Sequence, residues 1–380
     1  MARLGDLVTI SSSSEKLKSD TFWLLNLDMV EQQTGNIIEY NYVSKDQLNG
    51  SIIQFDSDVV LYSKLRPNLN KVVLPEQAGF ATSEMLPLKP DSSKLLREYL
   101  AVYLRSDSFV TWAVSKTAGA KMPRLGTKEL LGKELSLPSL CEQRKIVSEF
   151  QKINKVIFIR KQQLSKLDEL VKSRFIEMFG NLVIGDKICA NKHKIGEIAS
   201  VTKLAGFEFT KYIQYKEQGD IIMLRGLNCK KGHLVLDDIK WIDKETSDLL
   251  PRSKLYYGDI LMTYAGTIGD VAMVDADDKY HLAPNVAKIT LTDKMAYNPV
   301  FLIHLFMYTN DYIMTFASVV AQASINMEKI RNFEYYFPSV EQQNAFATFV
   351  EQIEKSKFEI QKSLNQLETL KKALMQKYFG

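Results

Sequence analysis

One feature restricts what this chain can fold into more than any other: a 43-residue segment occurs twice. PSLCEQRKIVSEFQKINKVIFIRKQQLSKLDELVKSRFIEMFG (138–180) aligns without a gap on PSVEQQNAFATFVEQIEKSKFEIQKSLNQLETLKKALMQKYFG (338–380), at an offset of 200 residues. The two agree at 12 of 43 positions, Pro138, Ser139, Gln143, Ile153, Lys155, Phe158, Leu164, Leu167, Leu170, Lys172, Phe179 and Gly180 with their partners. Each copy reads as one long helix. Ser139 and Ser339 are N-caps with Glu142 and Gln342 three residues on, the S-x-x-E/Q capping box. Gly180 and Gly380 stand where a glycine ends a helix. Between them Ile146, Phe150, Ile153, Ile157, Leu164, Leu167, Val171, Phe175 and Met178 recur at three- and four-residue steps, interrupted at Arg160–Lys161. Phe346, Val350, Ile353, Ile360, Leu364, Leu367, Leu370 and Leu374 do the same in the second copy. Such a stripe is a coiled-coil seam, and forty residues at 1.5 Å each make a rod of roughly 60 Å.

The repeat reaches further. SDVVLYSKLRPN (57–68) lies on GDILMTYAGTIG (258–269), and RLGDLVTIS (3–11) on KIGEIASVT (194–202). EYLAVYLRSDSFVTWAVSKTAGAKMPRLGTKELLGKELSLP and PVFLIHLFMYTNDYIMTFASVVAQASINMEKIRNFEYYFP end at Pro138 and Pro338. GDILMT and VAKITL read as strands, and EYLAVYLRSDSFVTWAVS as one helix. The expected fold class is α+β. Two similar globular α/β-mixed domains (1–137 and 181–337) are separated by two long antiparallel coiled-coil helices (138–180 and 338–380), a pseudo-twofold internal repeat.

Composition excludes several classes. MARLGDLVTI offers no signal-peptide core, and FLIHLFMY (301–308) is far too short to span a membrane. Cys141, Cys189 and Cys229 form neither a disulfide framework nor a zinc pattern, so a reduced, cytoplasmic protein with no membrane partner is expected. Net charge is +4 and spread out: 1–137 carries 16 Lys+Arg against 16 Asp+Glu, and 138–180 carries 9 against 5. Any nucleic-acid binding must therefore come from local faces. His193, His233, His281 and His304 are isolated, and no phosphate-cradling glycine motif occurs. An adenine methyltransferase would carry [ND]PP[YF], whereas NPVF (298–301) has Val300 at the second proline and reads as a helix start. DDK (277–279) reads as a turn rather than a metal carboxylate set.

The duplicated PSLCEQ and PSVEQQ helix starts, the paired helices ending in FG, the GDILMTYAGTIG strand and turn, and the AGAKMPRLGTKELLGKELSLPS loop make the chain resemble the DNA-specificity (S) subunits of type I restriction–modification systems. The resemblance covers essentially the whole chain. It implies two target recognition domains (1–137 and 181–337), each reading half of a split, asymmetric target on double-stranded DNA, with the helices as spacer. It implies docking of two DNA methyltransferase (M) subunits and of restriction/translocase (R) subunits. This chain is then non-catalytic and without cofactor, with S-adenosylmethionine, ATP and Mg expected in the partners. A non-enzymatic coiled-coil adaptor bridging proteins is the alternative, but it does not need duplicated domains with polar, basic loops.

Side chains able to hydrogen-bond base edges, placed on turns, are the DNA-contact candidates. In the first domain these are Tyr62, Ser63, Lys64, Arg66, Asn68 and Asn70 in one turn, and Lys121 and Arg124 in the AGAKMPR loop. In the second they are Arg225, Asn228, Lys230 and Lys231, then Thr263, Tyr264 and Thr267, then Gln322, Ser324 and Asn326. The lysines and arginines should mostly hold phosphates. Residues 58–68 lack the glycines of TYAGTIG, which implies a differently built recognition loop. Phe158, Ile159 and Phe358 lie off the seam and are candidate partner contacts.

Overall fold

Val60–Ser63 and Ile260–Thr263 are buried at every residue, so they read as continuous apolar runs. Their side chains nonetheless alternate between faces, as strand geometry requires. Val60 and Tyr62 join one core with the helices Arg97–Leu104 and Asp107–Ser115, while Leu61 joins a second core with Trp23, Phe55 and Met85. Ile260 and Met262 divide from Leu261 in the same way. The central sheet is thus covered by helices on one face and by a second sheet on the other.

The computed structural model describes residues 2–12, 20–48, 50–119, 121–187, 191–318 and 323–380. The chain forms two compact units, Met1–Gln162 with Gln361–Gly380, and Gln163–Ile360. In the first unit the central sheet has the order Val8–Ile10, Met85–Pro90, Val60–Ser63, Val72–Val73, all antiparallel. The second sheet runs Asn41–Ser44, Thr21–Leu25, Gly79–Thr82, Ile52–Phe55, with Thr21–Leu25 parallel to Gly79–Thr82. The other unit repeats this strand for strand. Its central sheet is Ala199–Lys203, Val286–Leu291, Ile260–Thr263, Val271–Met273. Its second sheet is Lys240–Ile242, Ile221–Leu224, Tyr280–Leu282, Lys254–Leu255, again with one parallel pair between Ile221–Leu224 and Tyr280–Leu282. The repeat legible in the helices therefore extends to the sheets.

The expected single helix over EYLAVYLRSDSFVTWAVS is two, Arg97–Leu104 and Asp107–Ser115. Ser106 makes the break: its buried hydroxyl donates to the Tyr103 carbonyl (2.7 Å) and accepts from the Phe109 amide (3.3 Å), capping the second helix. NPVF does start a helix, Pro299–Tyr308, with Asn298 as N-cap and Pro299 in the first turn.

The long helices run Leu140–Phe179 and Val340–Phe379. Both capping boxes close: Ser139 N donates to Glu142 Oε2 (2.9 Å) and Ser339 N to Gln342 Oε1 (3.2 Å). Gly180 ends the first helix at φ +63°, a conformation that favours glycine. In the first unit the start of the first helix lies along the end of the second. Phe150 is 6.3 Å from Phe379, and Tyr378 Oη donates to Glu149 (2.8 Å). In the other unit the roles exchange: Phe175 and Phe179 pack on Phe346 at 5.3 and 5.7 Å, and Lys357 pairs with Asp168 at 2.7 Å. Both patterns are antiparallel. The expected stripe holds with one correction. Leu370 is 48% exposed, and the neighbouring Lys371 is half-buried instead. Burial and the cations Arg105 and Lys161 lower the ammonium pKa of Lys371.

In Gln163–Ile360 the helix Pro299–Tyr308 carries His304 against the second long helix. Its ring sits edge-on to Phe346 (5.3 Å) with Nδ1 3.2 Å from Tyr308 Oη. Burial first, and the neighbouring His233, push its pKa down to about 4. Between the ordinary value near 6.5 and about 4, the unfolded chain binds a proton that the folded chain refuses. Stability is therefore complete above about pH 6.5 and falls as the pH drops toward 4, by on the order of 3 kcal/mol. Glu354, brought down to about 2 by His233 and Lys357 against the opposing effect of burial, stays ionised across that window. Urea midpoints at pH 7 and pH 5 should show the loss, and His304→Leu should flatten it.

Candidate nucleic-acid interface

The two candidate loops of the first domain, distant in sequence, are locked together. Thr117–Ala118 pairs with Arg124–Leu125, Leu65 bridges to Arg124, Leu125 N donates to the Lys64 carbonyl (2.9 Å), and Arg66 N donates to the Pro123 carbonyl (2.8 Å). Lys64, Arg66 and Arg124 thereby share one site. Arg66, Asn68, Lys121 and Arg124 are exposed there and Lys64 is half-buried. Glu84 faces Arg124 Nε at 3.1 Å, a pair exposed enough to be worth little and easily exchanged for a phosphate.

The other unit builds the same junction 200 residues later. Ile325 N donates to the Tyr264 carbonyl (2.8 Å), and Ala265 bridges to Ser324. Ser324 also accepts from Ser318 N at 3.0 Å. Asn326 is exposed and caps the helix Met327–Arg331 through the Lys329 amide (2.8 Å). Thr267 is exposed, and Tyr264 is half-buried with Lys203 Nζ 5.5 Å from its ring centre. Gln322 lies outside the described residues. The missing glycines of the first turn do not change its backbone hand. Arg66 and Asn70 adopt φ +50°, where the second turn has Gly266 (+83°) and Gly269 (+84°). Holding a non-glycine residue there costs on the order of 1 kcal/mol. The first turn differs instead by a 3₁₀ segment, Pro67–Leu69.

Five candidates are inside the molecule and act as scaffold. Tyr62 packs edge-on against Phe109 (5.8 Å), its phenol pKa raised by burial. Ser63 Oγ donates to the Leu65 carbonyl (3.0 Å), and Asn70 Nδ2 to the Arg105 carbonyl (3.1 Å). Thr263 Oγ1 donates to the Thr267 carbonyl and accepts from Asp270 N (3.0 Å), closing the turn. Asn228 accepts from Arg225 N (3.0 Å) and donates to the Val235 (2.8 Å) and Asp238 (2.9 Å) carbonyls. Polar residues with such turn chemistry often hold their own backbone, and residue type alone does not separate them from outward-facing ones. Arg225 is paired with Asp238 (2.8 Å) and Lys230 with Asp270 (2.6 Å). Lys231 stands apart, lining a cleft beside the second long helix. Phe158, Ile159 and Phe358 are exposed at 58%, 41% and 67%.

Sequence reasoning also passed over the role of Gln143 and Gln343, although their identity in the repeat was plain. Gln143 accepts from Leu96 N (2.8 Å) and donates to the Lys94 (2.8 Å) and Pro138 (2.9 Å) carbonyls. Gln343 accepts from Asn298 N (3.0 Å) and donates to the Pro338 carbonyl (2.9 Å). Each ties its long helix to the start of the globular helix beside it. Among the described residues no group of three or more His, Cys, Asp or Glu is placed to hold a metal ion, and no helix is long and apolar enough to cross a membrane.

Comparison with known proteins follows the same division. The chain is 26% identical over 124 residues (33% of its length) to the type I restriction enzyme EcoDI specificity subunit of Escherichia coli, of which the match covers 27%. It is 25% identical over 276 residues (66%) to the EcoBI specificity subunit of the same organism, covering 58% of it. The matches thus span less than two thirds of either relative. Among solved structures, a chain from work on complex assembly and conformational transition of the type I R-M system superposes with TM-score 0.63 at 16% identity, covering 100% of this chain and 96% of that one. The type I restriction–modification S subunit from M. genitalium superposes with TM-score 0.60 at 12% identity, covering 100% and 95%. These two likenesses are of fold. The model of the type I restriction modification DNA specificity domain matches residues 1–169 and again 190–369, and the chain belongs to that family.

Proposed function

We propose that this chain is the non-catalytic specificity subunit of a type I restriction–modification complex, reading a bipartite, asymmetric DNA target and docking methyltransferase and restriction subunits. The observation that carries this reading is the duplicated junction. Two units of the same topology each present a polar turn pinned by the same backbone hydrogen bonds to a second loop. Two such readers joined by long paired helices suit two half-sites separated by an unread gap, and their diverged side chains suit an asymmetric target. Residues 1–137 and 181–337 are the target recognition domains on this reading, and 138–180 and 338–380 the spacer. The exposed Arg66, Asn68, Lys121, Arg124, Thr267 and Asn326 are the favoured contacts. S-adenosylmethionine, ATP and Mg belong to the partner chains.

Gel-shift titration of the full chain, with and without methyltransferase from the same genome, tests this. Arg124→Ala and Arg66→Ala should each weaken binding to the methylated target sequence by about 1–3 kcal/mol if they touch bases. A loss equal on target and random DNA would make them phosphate contacts. The complex should methylate DNA and the purified chain alone should not, and turnover by the isolated chain would overturn the assignment.

A further inference from the structure

Among the described residues six non-glycine residues adopt a positive φ. Three of them, Gln33 (+65°), Arg66 (+50°) and Asn70 (+50°), meet at the polar turn of the first unit. Such strained backbone persists only where the surrounding structure fixes it, and it gathers at functional sites. Arg66 and Asn70 bracket the 3₁₀ segment Pro67–Leu69. Gln33 reaches the same segment from 35 residues earlier in the chain: its amide donates to the Leu69 carbonyl (3.1 Å) and its Nε2 to the Asn68 carbonyl (2.9 Å).

The loop that carries Gln33 is itself fixed. Glu31 N donates to the Asn36 carbonyl (2.8 Å), and Asn36 Nδ2 donates back to Glu31 Oε2 (3.0 Å). Gly35 lies so close to the strand Val72–Val73 that a Cβ there would stand 1.8 Å from the Val72 carbonyl oxygen. The loop is therefore seated on that strand at one side and on the turn at the other. The second unit has a loop in the same place, since each follows a 3₁₀ turn, Leu27–Met29 or Gly226–Asn228. There Lys231 takes the positive φ (+47°), and the tie to the turn is the Lys230–Asp270 pair. In the first unit the tie is the Gln33 amide. Glycine would hold the backbone at residue 33 without strain, but it would bring no donor to the Asn68 carbonyl.

We infer that Gln33 is a positioning residue for DNA recognition by the first unit: it fixes the backbone of the exposed Asn68, and with it the direction in which the Asn68 side chain meets a base edge. A side-chain amide discriminates bases only when both of its hydrogen bonds are aligned, so its anchor matters as much as its chemistry. This rests on the reading of the turn as a DNA contact given above.

The test is competition binding by the complex of the full chain with methyltransferase from the same genome. Duplexes carrying the sequence that the complex methylates, and each single base-pair change in it, give the discrimination at every position. Gln33→Gly keeps the backbone conformation and deletes the donor, whereas Gln33→Met keeps the length and the strain and deletes the donor. Both should lose about fivefold or more in discrimination within one half-site, the low end of what a good base contact supplies. The other half-site serves as internal control. The urea midpoint should be higher for Gln33→Gly than for Gln33→Met, because glycine is unstrained at that φ. A purely structural role would make discrimination follow the midpoint. Combined with Asn68→Ala, neither variant should lose discrimination further, because Gln33 acts through Asn68. Discrimination retained by Gln33→Gly, or a loss that adds to that of Asn68→Ala, would overturn the inference and leave the specificity-subunit reading intact. Failure of the unaltered complex to prefer its target over random DNA would overturn both.

Discussion

Replacing Phe175 by Ala is expected to cost about 3–5 kcal/mol of stability. Phe175 is 2% exposed and its ring meets four others: Phe179 (5.1 Å), Tyr308 (5.2 Å), Phe346 (5.3 Å) and Phe301 (5.7 Å). Truncation removes the ring's transfer energy, leaves a cavity that rings held by two helices cannot collapse into, and deletes edge-to-face contacts worth about 0.5–1.5 kcal/mol each. The repeat supplies an internal control. Met375 occupies the equivalent position in the second long helix and is only partly buried, so Met375→Ala should cost less, about 1–2 kcal/mol. Urea unfolding followed by circular dichroism measures both. Equal costs at the two positions would show that the aromatic cluster contributes nothing beyond ordinary burial.

Gln143→Leu and Gln343→Leu should each cost about 2–3 kcal/mol, although the substitution is close to isosteric and adds apolar surface. The reason is an asymmetry in hydrogen-bond energetics: deleting one partner strands the others. Gln143 is fully buried, and its loss leaves the Leu96 amide without its acceptor at the start of the helix Arg97–Leu104. Gln343 serves the Asn298 amide in the same way. Since each tether joins a long helix to its own globular unit, amide hydrogen exchange should rise at Leu96 or Asn298 in the corresponding variant and stay unchanged in the other unit. Exchange unchanged in the variant's own unit would mean that packing alone fixes the angle between helix and sheet.

Much of this was legible beforehand because it rests on local rules. The capping boxes at Ser139 and Ser339, the stop at Gly180 and the apolar stripe follow from helix geometry, which acts over three or four residues. Leu370 was misplaced by the same logic. Its spacing fits the seam, but which flank of a stripe meets the partner depends on the neighbouring helix. Ser106 was missed because a cap inside an apolar run is visible only when its hydroxyl is seen to turn back on the chain.

The sequence by itself determined the repeat, the lengths and ends of the two long helices, the family resemblance, and which loops are polar. Only the tertiary structure decided that residues 64–66 and 123–125 form one site, that 264–265 and 324–325 do the same, and which polar side chains face outward. Tyr62, Asn70, Asn228 and Thr263 have the same residue types as exposed candidates, yet all four are buried. The physical reason is that a polar turn residue can satisfy its hydrogen bonds either with the backbone or with a ligand. That choice depends on where residues far away in sequence are brought, as Leu125 is to Lys64 and Ile325 to Tyr264.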